Sequence, residues 1–179
     1  MAIREIYLAG GCYWGVEKFM ASLKGVTDTE VGFANGSVEA PTYRQVCRDH
    51  TGHAETVRVR YDAAVLPLPL LLSLFYRIID PTSVERQGTD VGNQYRTGVY
   101  YTDPADAPVV EASLAALAAT LDKPLAVEQG PLKCFYPAED AHQDYLDKNP
   151  GGYCHVPWDM IRWAATFDPE KNTLTERQP

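Results

Sequence analysis

The sequence has no stretch long and apolar enough to cross a bilayer. Its most apolar run, Ala63 to Leu74, carries Pro67 and Pro69 and directly follows Asp62. Nor is there an excess of positive charge. Sixteen Lys and Arg stand against 24 Asp and Glu, a net charge of −8, which argues against nucleic acid or anionic lipid as a principal partner. The opening residues lack the basic start and apolar block of a signal peptide, so the expectation is a cytoplasmic protein. Asn35-Gly36-Ser37, a glycosylation acceptor in a secreted chain, then means only a turn. Cysteine is sparse: Cys12, Cys47, Cys134 and Cys154 lie far apart with no CxxC pair. That pattern excludes a disulfide scaffold in a reducing compartment and lacks the spacing of a structural zinc site. Internal repeats and low-complexity segments are also missing.

What is there fits one domain. The chain has 179 residues, of which 45 % are hydrophobic, enough for a core without staples. Ile3 to Leu8 alternates as a strand and runs into Gly10-Gly11-Cys12. Val16, Phe19, Met20 and Leu23 then mark one buried helix face, with Gly25 as its stop. Thr27 to Phe33 reads as a second strand, 37–54 as a polar loop, and Val57, Val59 and Tyr61 as a third strand. Leu70 to Ile78 predicts a helix, 80–96 a second polar loop, and Gly98 to Thr102 a strand. Val110, Leu114, Leu117 and Leu121 predict a further helix, Leu125 to Gln129 a strand and Ala138 to Lys148 a short helix. The order strand, helix, strand, strand, helix, strand implies an α/β sandwich with a ferredoxin-like split βαβ core. The core is expected over about 3–148, followed by a long irregular C-terminal tail over about 149–179.

Chemistry concentrates around Cys12. A thiol at the end of a strand and the start of a helix faces unpaired N–H groups and the positive end of the helix dipole. Both favour thiolate, so a lowered pKa is expected. A lone cysteine is more often a small buried residue, but Tyr13 and Trp14 follow it, and two adjacent aromatics cannot both face the core of one helix. At least one should line a pocket at the sulfur. Glu55, at the entrance of a strand, is a solvated residue by default; buried near Cys12 it would become a proton donor at neutral pH. Cys47, His50 and His53 invite a metal reading, which their confinement to one short loop disfavours. Cys134 reads as a packed thiol. Cys154, behind Asn149-Pro150-Gly151-Gly152-Tyr153, reads as a thiol on a mobile segment.

Four segments together are far more specific than any one of these residues. Gly11-Cys12-Tyr13-Trp14-Gly15, Gly52-His53-Ala54-Glu55, Gln87 to Arg96 and Asn149 to Cys154 resemble the signature segments of peptide methionine sulfoxide reductase type A, in family order, from about Ile6 to Cys154. The resemblance implies a ferredoxin-like sandwich that reduces the S epimer of methionine sulfoxide, free or in oxidised proteins and peptides. By position it implies Cys12 as nucleophile, Glu55 as proton donor and Cys154 as resolving cysteine. It implies Tyr43, Asp90 and Tyr95 as the residues holding the sulfoxide oxygen and nearby water, and Tyr13 and Trp14 as the pair receiving the substrate methyl. It further implies thioredoxin as reductant and repair of oxidised proteins, without metal, organic cofactor, nucleic acid or membrane; a monomer is expected.

Two departures stand out. The family usually has phenylalanine where this chain has Tyr13, so the hydroxyl must find a partner. No cysteine follows Cys154, so the thiol relay should have two members, with Cys47 and Cys134 outside it. Three rivals exist: a thiol peroxidase or sulfenic-acid redox sensor, a cysteine hydrolase pairing Cys12 with His53 or His142, and a binding module in which Cys12 is only core.

Overall fold

The computed structural model describes residues 2–171. In chain order the elements are β1 (Ile3–Gly10), α1 (Tyr13–Ala21), β2 (Val26–Ala34), α2 (Tyr43–Arg48), β3 (Ala54–Asp62) and α3 (Leu68–Tyr76). A two-strand hairpin follows, β4 (Arg86–Gln87) and β5 (Asp90–Val91), then β6 (Thr97–Tyr101) and α4 (Ala107–Ala118). The chain continues through β7 (Glu128–Pro131), β8 (Phe135–Pro137), α5 (Tyr145–Lys148) and α6 (Trp158–Thr166). The large sheet has the order β7-β6-β1-β3-β2-β8. Every pairing is antiparallel except β6 with β7.

Period-two alternation fixes which strand faces are buried. Ile6 and Leu8 of β1 pair opposite Val59 and Val57 of β3, and all four lie in the main core with Val31, Phe33 and Val99. The other face buries a smaller group, Tyr7, Ala9, Ala34, Ala54 and Tyr100. Val16, Phe19 and Met20 of α1, with Leu23 just past it, are buried in the main core. So are Leu71, Leu72, Leu74 and Phe75 of α3, each contributing roughly 1.5–3 kcal/mol by burial. α1 itself ends at Ala21, and Gly25 instead makes the turn into β2. Its φ is +103° and a Cβ there would meet the Leu66 Cβ at 2.7 Å.

Three expectations are corrected. The polar loop over 37–54 contains α2, started by a capping box in which Thr42 and Gln45 each bond the other's backbone N–H; such a box satisfies two otherwise orphaned donors. The helix expected over Ala138 to Lys148 is a 3-10 turn, Asp140–His142, and only the short α5. The Gln143 side chain bonds the Val31 N–H, the Val31 carbonyl and the Ala138 carbonyl, and Asp144 is left-handed at φ 51°. That anchoring prevents a continuous helix. The tail is not irregular throughout: α6 buries Ile161 and Ala164, and Phe167 after it, in the main core. The end of that expected tail, 172–179, lies outside the described residues.

Candidate active site

The β1–α1 junction is a crowded turn. Gly11 has φ +89°, and a Cβ there would strike the Gln87 Cβ at 2.7 Å. Gln87 is itself buried and fixed to Asp80 through both ends of its amide, donating to the carbonyl at 2.9 Å and accepting from the N–H at 2.8 Å. The hairpin loop is therefore pressed onto the backbone just before Cys12. Cys12 is the N-cap of α1, makes no capping bond and is only 7 % exposed.

Burial pushes the Cys12 thiol up, the Glu55 carboxyl adds to the push, and the Trp14 backbone N–H opposes it. The lowered pKa expected from the helix terminus is thus corrected. Local N–H groups do act in that direction, but desolvation of the thiolate in a closed site outweighs them.

Glu55 is the second residue of β3, opposite Phe33 of β2, and is 1 % exposed. Its Oε1 accepts the Tyr13 N–H at 3.3 Å; its Oε2 has no hydrogen-bond partner among the described residues. Burial, with a smaller push from Asp90, raises its pKa to about 8. The carboxyl is therefore mostly protonated at neutral pH.

Tyr13 is 1 % exposed, its ring centroid 5.8 Å from that of Phe33. Its hydroxyl has no hydrogen-bond partner among the described residues, so the partner expected for it is not supplied by the fold. Trp14 stacks on Tyr145 with centroids 3.7 Å apart and planes 14° apart. Tyr43 opens α2 and stacks on His142 at 4.6 Å; Cys47 lies one turn further along the same helix. Tyr95 ends a 3-10 turn. Burial first and Glu55 second raise the pKa of Tyr13, Tyr43 and Tyr95, keeping all three as neutral donors. Asp90 accepts the Tyr153 hydroxyl at 2.8 Å.

Cys154 is half-buried over the first turn of α1. A Cβ on Gly15 would lie 3.1 Å from its Sγ, and the Sγ is 3.1 Å from the Val156 carbonyl oxygen. Its segment is moored by Tyr153 to Asp90, by His155 Nε2 to the Gly10 carbonyl at 3.0 Å, and by the buried Val156. The expected mobile arm is docked across the junction that carries Cys12.

The eight residues singled out in the sequence thus converge on one end of the sheet. Sequence reasoning assigned no supporting role to Tyr145, Tyr153, His155 or Gln87, and named His142 only as a hydrolase partner of Cys12. Gln87, Tyr153 and His155 fall inside or beside the recognised segments, and that proximity was the available signal. Of the metal reading, Cys47 lies against Tyr43 and His53 Nδ1 is 2.9 Å from Thr51 Oγ1. Among the described residues no three His, Cys, Asp or Glu side chains are grouped to hold a metal ion. No helix among them is long and apolar enough to cross a membrane.

The family model described as peptide methionine sulfoxide reductase matches residues 4–172. The chain belongs to the peptide methionine sulfoxide reductase family. A peptide methionine sulfoxide reductase MsrA of Lachnoclostridium phytofermentans is 52 % identical over 169 residues, 94 % of this chain and 98 % of that one. Reduced Mxr1 of Saccharomyces cerevisiae superposes with a TM-score of 0.82 at 36 % identity, covering 87 % of this chain and 92 % of Mxr1. Mxr1 has also been solved in complex with Trx2; that chain matches with a TM-score of 0.57 at 25 % identity, over 80 % of this chain and 85 % of its own. The protein is accordingly an oxidoreductase that reduces methionine sulfoxide, on a mixed α/β fold shared with its family.

Proposed function

We propose that this reductase acts on the S epimer of methionine sulfoxide, with Cys12 as nucleophile, Glu55 as proton donor and Cys154 as resolving thiol. The observation that carries the reading is Glu55: a buried carboxyl with a pKa of about 8 and one oxygen unpartnered among the described residues, close to a buried thiol. A sulfoxide is a poor electrophile until its oxygen is protonated or strongly hydrogen-bonded. A positioned general acid contributes about 10²–10⁴-fold to such a step. Tyr43 and Tyr95 add neutral hydroxyl donors, and Asp90, bonded by Tyr153, orders the water beside them.

In this scheme the oxygen takes the Glu55 proton, and the carboxylate so formed takes the proton of the Cys12 thiol. Cys12 sulfur bonds to the substrate sulfur, and as this S–S bond and the substrate S–O bond break, the hydroxyl passes to Cys12. The products are methionine and a Cys12 sulfenic acid. The Cys154 thiol then attacks that sulfenic acid, forming a Cys12–Cys154 disulfide and releasing water. A thioredoxin-type dithiol returns the disulfide to two thiols by exchange; the complex of the related Mxr1 with Trx2 supports this partner. The scheme needs no metal or organic cofactor. Tyr13 and Trp14 take the methyl group while the oxygen meets the donors. Fixing methyl, oxygen and backbone side on one tetrahedral sulfur selects a single epimer.

The same reading takes β6-β1-β3-β2, antiparallel throughout and crossed by α1 and α3, as a ferredoxin-like core within one domain. It takes the protein as a cytoplasmic monomer repairing oxidised proteins. The test is a single turnover of reduced enzyme with separated S and R epimers and no reductant. About one methionine per chain from the S epimer alone, with two thiols lost, is expected. No methionine from either epimer would overturn the scheme.

A further inference from the structure

His142 is the side chain that joins the two halves of the candidate site. The Trp14 indole Nε1–H donates to His142 Nδ1 at 3.3 Å, with the two ring planes 16° apart. On its other contacts the imidazole stacks on Tyr43 at 4.6 Å and 27° and lies 5.9 Å from the Tyr13 ring. Tyr145 covers a face of Trp14. A tryptophan has one donor, so a face-on stack plus an in-plane bond to that donor holds the ring in a single orientation.

The backbone that presents His142 is itself pinned. Gln143 is bonded to Val31 and Ala138, and the Asp144 N–H donates to the buried Glu17 at 2.7 Å. This is a preorganised strut rather than a loose loop residue.

We propose that His142 is a positioning residue for the reaction, a neutral imidazole that fixes the Trp14 wall of the methyl cage by accepting its N–H and couples that wall to Tyr43. The inference rests on the assignment of Trp14 to the methyl cage. Because Nδ1 accepts, the ring proton belongs on Nε2, which faces Glu139 Oε2 at 3.9 Å. The titratable groups around the imidazole are Glu139 on its own turn, Tyr43 on α2 and Tyr13 on α1. Burial lowers the His142 pKa and Glu139 works against it, so the neutral form prevails at neutral pH. Acid protonates Nδ1, sets two N–H donors against each other and breaks the bond to Trp14. Glu55 stays protonated throughout that acid range and cannot cause the change.

Two variants separate the roles of the ring. His142→Asn keeps an acceptor without the imidazole; His142→Phe keeps a ring for Tyr43 without an acceptor. Wild-type enzyme should show KM for an S-sulfoxide peptide rising on the acid side while kcat changes little. His142→Asn should lose that acid limb. His142→Phe should hold KM independent of pH at about fivefold above the neutral-pH wild-type value, the worth of one ordinary hydrogen bond. An acid limb surviving in His142→Asn, a wild-type KM in His142→Phe, or a loss in kcat instead of KM would overturn the proposal. A readout free of turnover is the Trp14 indole ¹⁵N–¹H resonance, identified by its loss in Trp14→Phe. It should shift on acidification in wild type and not in His142→Phe; no shift in wild type would overturn the strut even if the catalytic scheme holds. Absent turnover of the S epimer with a normal indole titration would instead fault the scheme.

Discussion

Replacing Glu55 by glutamine should slow chemistry severely and at the same time flatten the dependence of stability on pH. In the fold, burial lifts this carboxyl from 4.5 to about 8, so between those values the folded chain keeps a proton that the unfolded chain releases. Each factor of ten in proton affinity is worth about 1.4 kcal/mol. Stability is therefore full below the unfolded value and falls as pH rises toward about 8, by about 4 kcal/mol between roughly pH 5 and pH 9 from this group alone. Glu55→Gln removes that loss but leaves Glu17 and the histidines titrating as before, so the difference between the two curves isolates the carboxyl. Urea unfolding of both proteins across that range measures it. In the wild type, single-turnover methionine formation should be flat below about pH 8 and fall about tenfold for each further pH step. The variant should be slower by about 10²–10⁴-fold with nearly unchanged substrate binding. Parallel stability curves would refute the reasoning, since they would mean that Glu55 is already ionised in the fold.

Tyr13→Phe removes a buried hydroxyl without a hydrogen-bond partner among the described residues and should stabilise the fold by about 1–2 kcal/mol. In a thermal scan that is a Tm gain of about 2–6 °C; a lower Tm would show that the hydroxyl is bonded in solution. Gly15→Ala would set a Cβ 3.1 Å from Cys154 Sγ and from a Val156 methyl, pushing the docked segment off α1. The first methionine should then form normally while loss of the second thiol slows several-fold; equal rates for both proteins would sink the docking argument. Cys154→Ser should still give about one methionine per chain but stall with a dithiol reductant, and undiminished recycling would mean that another thiol resolves.

Sequence pattern carried most of the scaffold because the relevant signals are local. Ile6 and Leu8 alternate, and Val16, Phe19 and Met20 share a helix face, so their burial follows from period alone. α2 was equally local: Thr42 and Gln45 form a capping box, and the signal was overlooked among polar neighbours. α6 was hidden differently. Asn149, Pro150, Gly151 and Gly152 read as a break before a tail, whereas Pro157 beyond them is an N-cap and Ile161, Ala164 and Phe167 dock on the core. The pKa of Cys12 could not be read at all from its own segment. The dipole argument uses three neighbouring residues, but the desolvation comes from the whole closed site, including the hairpin loop and the 153–156 strap. Glu55 was likewise placeable only through the β2–β3 register that sets it opposite Phe33.

The raised thiol is in keeping with the family match, which already sets the reductase above its nearest rival. A thiol peroxidase works through a standing thiolate, since the thiolate and not the thiol is the nucleophile. Here Cys12 is held as a thiol beside a carboxyl that is itself protonated at neutral pH, so a molecule that merely diffuses in meets two neutral groups. The pair becomes reactive only when an acceptor takes the Glu55 proton, because the carboxylate left behind is then a base next to the Cys12 thiol. In the proposed scheme a sulfoxide oxygen held by Tyr43 and Tyr95 is such an acceptor. On that scheme nucleophile and acid are activated by one proton transfer that the substrate itself triggers. Reduced enzyme should therefore be alkylated slowly by iodoacetamide at Cys12 at neutral pH, and Glu55→Gln should leave that slow rate unchanged. Rapid alkylation of the resting enzyme at neutral pH would mean that Cys12 stands as a thiolate and would refute this substrate-triggered activation.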